Sequence, residues 1–290
     1  MKYYTYFPGC SASHGGSKVY DISAQSTSRI LDTQLIELED WNCCGSTPYT
    51  AVDELASYCC SARNLALAEK RGLDLVTPCS ACYALLTKTN EAMKQYPKLK
   101  KDITEALASG DLEYSGTVKV RHLLDIFAND IGYDAIRTRV VKQLTGLKVA
   151  PYHGCLAVRP GPGFDHPEYP TSLDNIIKNL GGEAIYFPLK SRCCGGSLMF
   201  SEEKVGLDLL YKILHDAERN GAQCIVTVCP VCQTNLDLYQ DKINQTFKTD
   251  FKIPVLFFTQ LIGVSFGLDN EEIGLDKNVV PVQKVLAGYL

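Results

Sequence analysis

Ten of the thirteen cysteines in this chain fall into two sets with the same spacing. The first set is Cys10, Cys43, Cys44, Cys79 and Cys82, and the second set is Cys155, Cys193, Cys194, Cys229 and Cys232. The four cysteines of the first set from Cys43 onward recur 150 residues later, and in both sets 34 residues separate the adjacent pair from the C-x-x-C motif. Five thiols in each repeat indicate two metal centres and therefore redox chemistry.

The number of thiols limits what each set can hold. A structural zinc site takes four ligands, and so does a cubane iron–sulfur cluster. Five thiols therefore imply either a spare, reactive cysteine or a cluster with an unusual ligand set. Disulfides are disfavoured in a reducing compartment. We favour an iron–sulfur cluster in both halves, with zinc in one half, the first, as the alternative.

The bulk composition is that of an ordinary globular protein with room for two domains. The chain has 290 residues, 46% hydrophobic and 21% charged, with a formal net charge of −4. The sequence has no stripe of basic residues, so a nucleic-acid partner is not expected. We found neither a signal peptide nor an apolar run near the roughly 20 residues that cross a bilayer, so we expect a cytoplasmic protein without direct membrane insertion.

The elements around the cysteines alternate between strand and helix. In the second repeat, predicted strands at 147–152, 184–187 and 224–228 each lead to a cysteine group, and helices begin near Thr171 and Ser201. The first repeat follows the same plan, with strands ending near Phe7, Leu38 and Thr77 and a helix at 52–70. A further strand is predicted at 253–258, followed by a helix.

This alternation predicts an α/β fold with two homologous repeats. Each repeat is a small parallel sheet flanked by helices, with its cysteines at the carboxyl ends of the strands. The predicted domains are 1–145 and 146–290, the first carrying a charged, mostly helical insertion at about 94–145. Helix N-termini at the same sheet edge favour an anionic, thiolate-ligated group.

The duplicated pattern resembles the cysteine-rich CCG domain in the B subunit of heterodisulfide reductase along essentially the whole chain. The motifs that carry the resemblance are 6–10 (YFPGC), 41–45 (WNCCG), 77–82 (TPCSAC) and 192–196 (RCCGG). Two further stretches match the same protein family, namely Arg159-Pro160 with 164–168 (FDHPE), and 254–263 (PVLFFTQLIG). Relatives in lactate, glycolate and fumarate or succinate oxidoreductases also carry CCG domains.

The resemblance implies a noncubane [4Fe-4S] cluster in each half, with all five cysteines of each set available as ligands. It implies the catalytic subunit of a cytoplasmic enzyme of methanogenesis, which reduces the coenzyme M–coenzyme B disulfide to two thiols. Reducing a disulfide takes two electrons, whereas one cluster normally delivers one. The implied partners are the ferredoxin-like C subunit and the flavin-containing A subunit of heterodisulfide reductase.

Four other residues are candidates for the site. Arg159, Lys190 and Arg192 lie near the second cysteine set and can attract an anionic disulfide, although a solvated surface charge is the plainer interpretation of each. His153, next to Cys155, can donate a proton or a hydrogen bond to a cluster sulfur, with a packing role as the alternative.

Three cysteines outside the sets, Cys59, Cys60 and Cys224, are expected to be structural thiols. Three alternative functions stay open at this point. The chain can be an iron–sulfur electron-transfer subunit of a 2-hydroxy-acid or related oxidoreductase, part of a reductase that acts on another disulfide, or a zinc-stabilised scaffold.

Overall fold

The computed structural model describes residues 1–46, 48–159 and 163–290, and within them it has two parallel sheets of four strands each. The strands of the first sheet are β1 (Lys2–Tyr6), β2 (Thr33–Glu37), β3 (Leu75–Thr77) and β4 (Val120–His122). The strands of the second sheet are β5 (Lys148–Tyr152), β6 (Glu183–Ala184), β7 (Cys224–Thr227) and β8 (Val255–Phe257). Pro160, part of one matching stretch, lies outside the described residues.

Helices flank both sheets. Those of the first half are α1 (Gly9–His14), α2 (Lys18–Ile30), α3 (Pro48–Val52), α4 (Glu54–Glu69), α5 (Ser80–Gln95), α6 (Pro97–Ala108), α7 (Leu123–Asp125) and α8 (Tyr133–Thr138), with a π-helical stretch at Ile126–Ile131. Those of the second half are α9 (Ser172–Asn179), α10 (Leu198–Ser201), α11 (Glu203–Arg219), α12 (Pro230–Leu238), α13 (Gln240–Phe247), α14 (Phe258–Ser265), α15 (Asn270–Ile273) and α16 (Gln283–Leu286), with a 3-10 turn at Leu275–Lys277.

The two sheets have the same strand order. It is β2-β1-β3-β4 in the first and β6-β5-β7-β8 in the second, and every pairing is parallel. The equivalence extends to register, because Thr77 faces His122 in the first sheet as Thr227 faces Phe257 in the second. The prediction of an α/β fold with two repeated parallel sheets is confirmed.

Helix α2 of the first half packs against the second half. The Tyr20 ring stacks on Phe257 with centroids 4.0 Å apart, and its hydroxyl donates to the Val228 carbonyl at 3.0 Å. Ser23 Oγ lies 2.6 Å from Thr259 Oγ1. One buried hydrophobic cluster contains residues of both halves, so neither half completes its core alone.

Strand β4 lies in the 94–145 stretch that was expected to be mostly helical. It is only three residues long, and two of them, Arg121 and His122, are polar. Arg121 is nevertheless buried, because Asp74, Asp125 and Asp130 all pair with its guanidinium. A short strand with a buried ion network has no apolar periodicity for sequence analysis to detect. The domain boundary near residue 145 stays a prediction.

Two predicted elements differ in extent. The helix expected at 52–70 is interrupted at Asp53, whose Oδ1 accepts from the Ala56 amide at 2.9 Å and so caps α4. The strand expected at 184–187 is shorter and earlier, as β6 covers only Glu183–Ala184.

Asp237 links the C-terminal segment to α12 through hydrogen bonds. Its side chain is almost fully buried and accepts from Val279 N at 2.7 Å, Gln233 Nε2 at 3.0 Å and Val280 N at 3.2 Å. Burial raises the pKa of Asp237 to about 6.

This pKa predicts a pH-dependent contribution to stability. An unfolded aspartate has a pKa of about 3.9. Because the folded value is higher, the contribution of Asp237 is fully present below about pH 4 and is lost as the pH rises through about 6. We expect Asp237→Asn to remove this slope from the free energy of unfolding, measured by urea denaturation, while the exposed Asp241→Asn keeps it. Equal slopes in wild type and Asp237→Asn would contradict the assignment.

Candidate functional site

All six cysteine groups lie in the segments that follow strands, beginning two to nine residues after the strand end. In the first half they follow β1, β2 and β3, and in the second half they follow β5, β6 and β7. Parallel strands end at the same edge of a sheet, so thiols far apart in sequence come together there.

Within each half the thiols are in contact as pairs. Cys44 Sγ lies 3.2 Å from Cys82 Sγ, and Cys194 Sγ lies 3.4 Å from Cys232 Sγ. The outer pairs are also hydrogen-bonded, Cys10 with Cys43 and Cys155 with Cys193. The pairing pattern is the same in both halves.

The two sets meet at the junction between the halves. The thiols of Cys79 and Cys229, the first cysteines of the two C-x-x-C motifs, are hydrogen-bonded to each other. Both are buried. The ten thiols therefore form one array, which is exposed at Cys10, Cys43 and Cys193 and closed at its centre.

Hydrogen bonding makes some of these thiols more acidic than others. The bond with Cys155 lowers the pKa of Cys193 to about 6. Bonds with Cys43 and Cys82 lower the pKa of Cys44, and bonds with Cys232 and Cys79 lower that of Cys229. Thiolates, rather than thiols, bind metals.

In three other thiols, a hydrogen bond to a neighbouring thiol raises the pKa. The bond to Cys43 raises the pKa of Cys10, and the bond to Cys193 raises that of Cys155. The bond to Cys229 raises the pKa of Cys79. Hydrogen bonds between the thiols thus make their pKa values unequal.

Helix termini add a favourable field at the junction. Cys79 is the N-cap residue of α5 and Cys229 is that of α12. The first turn of a helix has free N–H groups and a partial positive charge, which stabilise thiolates and anionic clusters.

Two glycines make room for the central thiols. Gly9 and Gly154 have positive φ values of 74° and 68°. A Cβ on Gly9 would lie 3.1 Å from Cys82 Sγ, and one on Gly154 would lie 3.1 Å from Cys232 Sγ. The turns after β1 and β5 therefore need glycine both for their backbone and for the adjacent sulfur.

The donor set fits a multi-iron group better than a single ion. Among residues 1–46, 48–159 and 163–290, no group of three or more His, Cys, Asp or Glu side chains forms a preformed site for one metal ion. Sulfurs around a tetrahedral zinc with bonds of about 2.3 Å would be about 3.8 Å apart, so the close sulfur pairs must separate for a metal to enter. Five thiols per half, at helix N-termini, suit an anionic thiolate-ligated cluster. The ligand roles of the ten cysteines stay a prediction.

His153 is buried and forms hydrogen bonds at the start of α9. It is fully buried, its Nε2 accepts from Leu173 N at 3.2 Å, and the same atom lies 3.2 Å from Ser172 Oγ. Burial lowers the pKa of His153 to about 3, so the ring is neutral. The ring caps α9 together with Asp165, which accepts from Thr171 N and Ser172 N. Because Nε2 accepts, the proton of the neutral ring is on Nδ1, and the hydrogen bond from His153 to a cluster sulfur stays a prediction.

Lys190 does not fit a role as a substrate-binding cation. It is fully buried, and its Nζ contacts Asp174 at 2.6 and 2.8 Å and the Pro170 carbonyl at 3.2 Å. Its own carbonyl accepts from the His153 and Gly154 amides. Lys190 thus holds the loop that leads to Cys155, and its ammonium is already paired.

The two arginines are exposed but differ in position. Arg159 Nη2 lies 3.2 Å from Ser191 Oγ and 3.3 Å from Glu168, and its charge helps to lower the pKa of Cys193. Arg192 is also exposed, and its carbonyl accepts from Tyr152 Oη. Arg159 is therefore the better placed of the two to meet an anion near the second set, a role that stays a prediction.

Several polar residues near the thiols escaped the sequence analysis. Asn235 Nδ2 donates to the Gly196 carbonyl at 3.0 Å and to the Cys194 carbonyl at 3.3 Å. In the first half Asn42 Nδ2 links the Cys43 and Cys60 carbonyls. Ser80 and His122 lie at the junction. A comparison of the repeats at the offset of 150 would have singled out Ser80, since Pro230 is its equivalent.

The cysteines outside the sets have different surroundings. Cys224 is fully buried, and burial raises its pKa to about 12, consistent with a packing role. Cys59 and Cys60 are half-buried on α4.

A groove of about 1390 Å³ runs between α4, α5 and α6. One end is formed by Ser46 and Thr50, next to the first cysteine set, and another part by Leu156 and Arg159, next to the second. The groove is therefore lined by residues of both halves, although none of its lining residues is a cysteine.

Comparison with known proteins agrees with this geometry. Residues 4–87 and 149–237 match the CCG cysteine-rich domain family. The chain belongs to this family, with one domain in each half.

Several relatives are components of reductases. The 8-methylmenaquinol:fumarate reductase membrane anchor subunit of Wolinella succinogenes is 35% identical over 287 residues, which are 98% of this chain and 99% of that protein. A protein of Archaeoglobus profundus, named as similar to the B subunit of heterodisulfide reductase, is 30% identical, covering 94% and 93% of the two chains. The B subunit of the ferredoxin/F(420)H(2)-dependent CoB-CoM heterodisulfide reductase of Methanosarcina acetivorans is 29% identical, covering 89% and 87%. The predicted resemblance to this B subunit is confirmed.

A solved structure shares the fold. A hypothetical protein from Helicobacter pylori matches with a TM-score of 0.78 and 17% identity, over 97% of this chain and 52% of that one. None of the helices in the described residues has the length and apolar composition that a bilayer crossing requires.

The glycine contacts give a matched pair of variants. Gly9→Ala places a methyl group against Cys82 Sγ, whereas a Cβ at Gly72, where φ is also positive, meets open space among the described residues. Both variants should lose about 1–2 kcal/mol of unfolding free energy from the left-handed backbone. Only Gly9→Ala should also speed the alkylation of Cys82 in metal-free protein, measured by mass spectrometry. Equal Cys82 reactivity in the two variants would show that the glycine does not seat the thiol.

The assignment of Lys190 as a buried anchor makes a second prediction. Removing one partner of a buried ion pair costs about 3–5 kcal/mol. We expect Lys190→Met to lower the free energy of unfolding by this amount, and Arg192→Met, at an exposed site, to change it by no more than about 0.5 kcal/mol. A small effect of Lys190→Met in chemical denaturation would return Lys190 to the list of substrate-binding candidates.

Proposed function

We propose that this chain is the iron–sulfur subunit of a multi-subunit reductase, and that each five-cysteine set holds one noncubane [4Fe-4S] cluster. The five-thiol donor sets, the glycines beside Cys82 and Cys232, and membership of the CCG family support this proposal. An iron–sulfur cluster supplies one-electron redox chemistry when it is bound.

The observation that carries the proposal is the contact between Cys79 and Cys229. It joins the two donor sets into one array through buried thiols, so an electron can cross between the halves inside the protein. The same array reaches the surface at Cys10, Cys43 and Cys193, where a partner protein or a substrate can approach.

We place electron relay within the complex first among the possible reactions. The junction thiols are buried, which suits the passage of electrons better than the entry of a substrate. The relative from Wolinella succinogenes, a subunit of an 8-methylmenaquinol:fumarate reductase, matches over nearly its whole length. On this proposal the partners are one subunit that supplies electrons and another that reduces the final acceptor.

Disulfide reduction is the second candidate. Relatives named as B subunits of heterodisulfide reductases, or as similar to one, support it at 28–30% identity. Its substrate would be the coenzyme M–coenzyme B disulfide or another thiol compound, and its partners would be a ferredoxin-like and a flavin-containing protein of the same complex. Exposed Arg159, close to Cys193, suits an anionic group on such a substrate.

The cluster content is tested with anaerobic protein and matched cysteine variants. We expect about eight irons and about eight sulfides per chain, corresponding to two four-iron clusters. Cys10→Ser should reduce the iron of the first half only, Cys155→Ser that of the second half only, and Cys59→Ser should change neither. One zinc with about four irons would assign a structural role to the first set, and an absence of iron from wild type would refute the proposal.

The two reactions are separated by EPR of the oxidised protein with and without coenzyme M thiol. Electron relay predicts no thiol-dependent signal, and reduction of both clusters by a menaquinol analogue in the native complex. A new paramagnetic signal that needs the thiol would instead assign disulfide chemistry to the clusters.

A further inference from the structure

The two halves differ at the junction in one pair of residues. Ser80 follows Cys79, whereas Pro230 follows Cys229. The strand position opposite Thr77 is His122, whereas the position opposite Thr227 is Phe257. The first half therefore places a polar pair at the junction where the second half has two residues without a side-chain hydrogen-bonding group.

The hydrogen bonds of His122 define which ring nitrogen carries the proton. His122 is fully buried, and its Nδ1 accepts from Leu124 N at 3.1 Å. The proton of the neutral ring is therefore on Nε2, which lies 3.2 Å from Ser80 Oγ and donates to it. Phe164 stacks on the ring and Tyr83 meets it edge-on, so its orientation is fixed.

Ser80 connects this pair to the other half. It is the first residue of α5, so its N–H has no partner within the helix. A backbone hydrogen bond from Ser80 helps to lower the pKa of Cys229, which assigns this N–H to the Cys229 sulfur. Pro230 occupies the same place in α12 and has no N–H to give to Cys79. Cys229 thus receives a backbone hydrogen bond that Cys79 cannot receive from the equivalent residue.

We propose that His122 and Ser80 are positioning residues that give the cluster of the second set a higher reduction potential than that of the first set. His122 fixes Ser80, and the N–H of Ser80 stabilises the negative charge on Cys229, which increases when its cluster is reduced. Hydrogen bonds to the sulfurs are one of the features that set cluster potentials. This inference rests on the proposed function.

The consequence is a direction for electron transfer. With both clusters bound, the first set would hold the electron-donating centre and the second set the accepting one, with Cys79 and Cys229 between them. No proton or leaving group takes part. The electron donor would then approach the first half, and the acceptor the second.

Exchanging the junction residues between the halves tests this direction. Ser80→Pro combined with His122→Phe copies the second half into the first, and the extended backbone of Cys79 (φ −95°, ψ 118°) accepts a following proline. Pro230→Ser gives Cys79 a donor. The readout is an anaerobic redox titration followed by EPR, with each signal assigned from Cys10→Ser and Cys155→Ser proteins, which keep one cluster each.

We expect Ser80→Pro/His122→Phe to lower the reduction potential of the second cluster alone. The expected change is about tenfold in the equilibrium constant for its reduction, which is about 59 mV for one electron. Pro230→Ser should raise the potential of the first cluster alone, and the combination of all three changes should reverse the order of the two potentials. His122→Gln, whose amide can donate to Ser80, should retain the wild-type value.

Unchanged potentials in variants that keep their full iron content would overturn the inference and leave the proposed function intact. A wild-type protein without two clusters would instead refute the proposed function. Should the double variant lose its fold, as judged by circular dichroism, Pro230→Ser decides the question alone: a first cluster with an unchanged potential counts against the inference.

Discussion

The contact between the Cys79 and Cys229 thiols requires that β3 and β7 end at the same place, from opposite halves of the molecule. Each strand is followed at once by a cysteine that caps a helix, so two helix N-termini converge on one pair of sulfurs. Helix α2, packed against α14 and α15, holds the halves in this relation. The other thiols of each set then extend outward from this centre to the surface.

Along the thiol array, burial raises the pKa of the thiols, whereas hydrogen bonds lower the pKa of some of them. Burying an ionised thiol is costly unless hydrogen bonds compensate, and here each lowered pKa is explained by a neighbouring thiol that donates to it. The result is a set of closely spaced sulfurs with unequal pKa values. A metal cluster would replace the thiol protons at sulfurs that already lie close together, and the close sulfur pairs would have to separate for it to bind.

Much of the fold could be predicted from sequence because the repeat ties each strand to a cysteine turn. Strand β4 could not, because buried Arg121 is paired with carboxylates from two segments, Asp74 in one and Asp125 and Asp130 in the other. The surroundings of Lys190 and His153 were hidden for the same reason: sequence proximity to a cysteine says nothing about burial, and their partners Asp174 and Asp165 lie elsewhere in the chain. The repeat offset distinguishes Ser80 from Pro230, but the sequence does not say which cysteine the Ser80 N–H faces.

The most direct test of the account is the magnetic interaction between the two clusters in one chain. Because Cys79 and Cys229 are in contact, both clusters would be bound within one array, and we expect spin–spin splitting or enhanced relaxation in the EPR spectrum when both are paramagnetic. The Cys10→Ser and Cys155→Ser proteins, with one cluster each, should lack that interaction. Two clusters that behave as magnetically isolated centres in the wild-type chain would contradict the claim that the ten thiols form a single path.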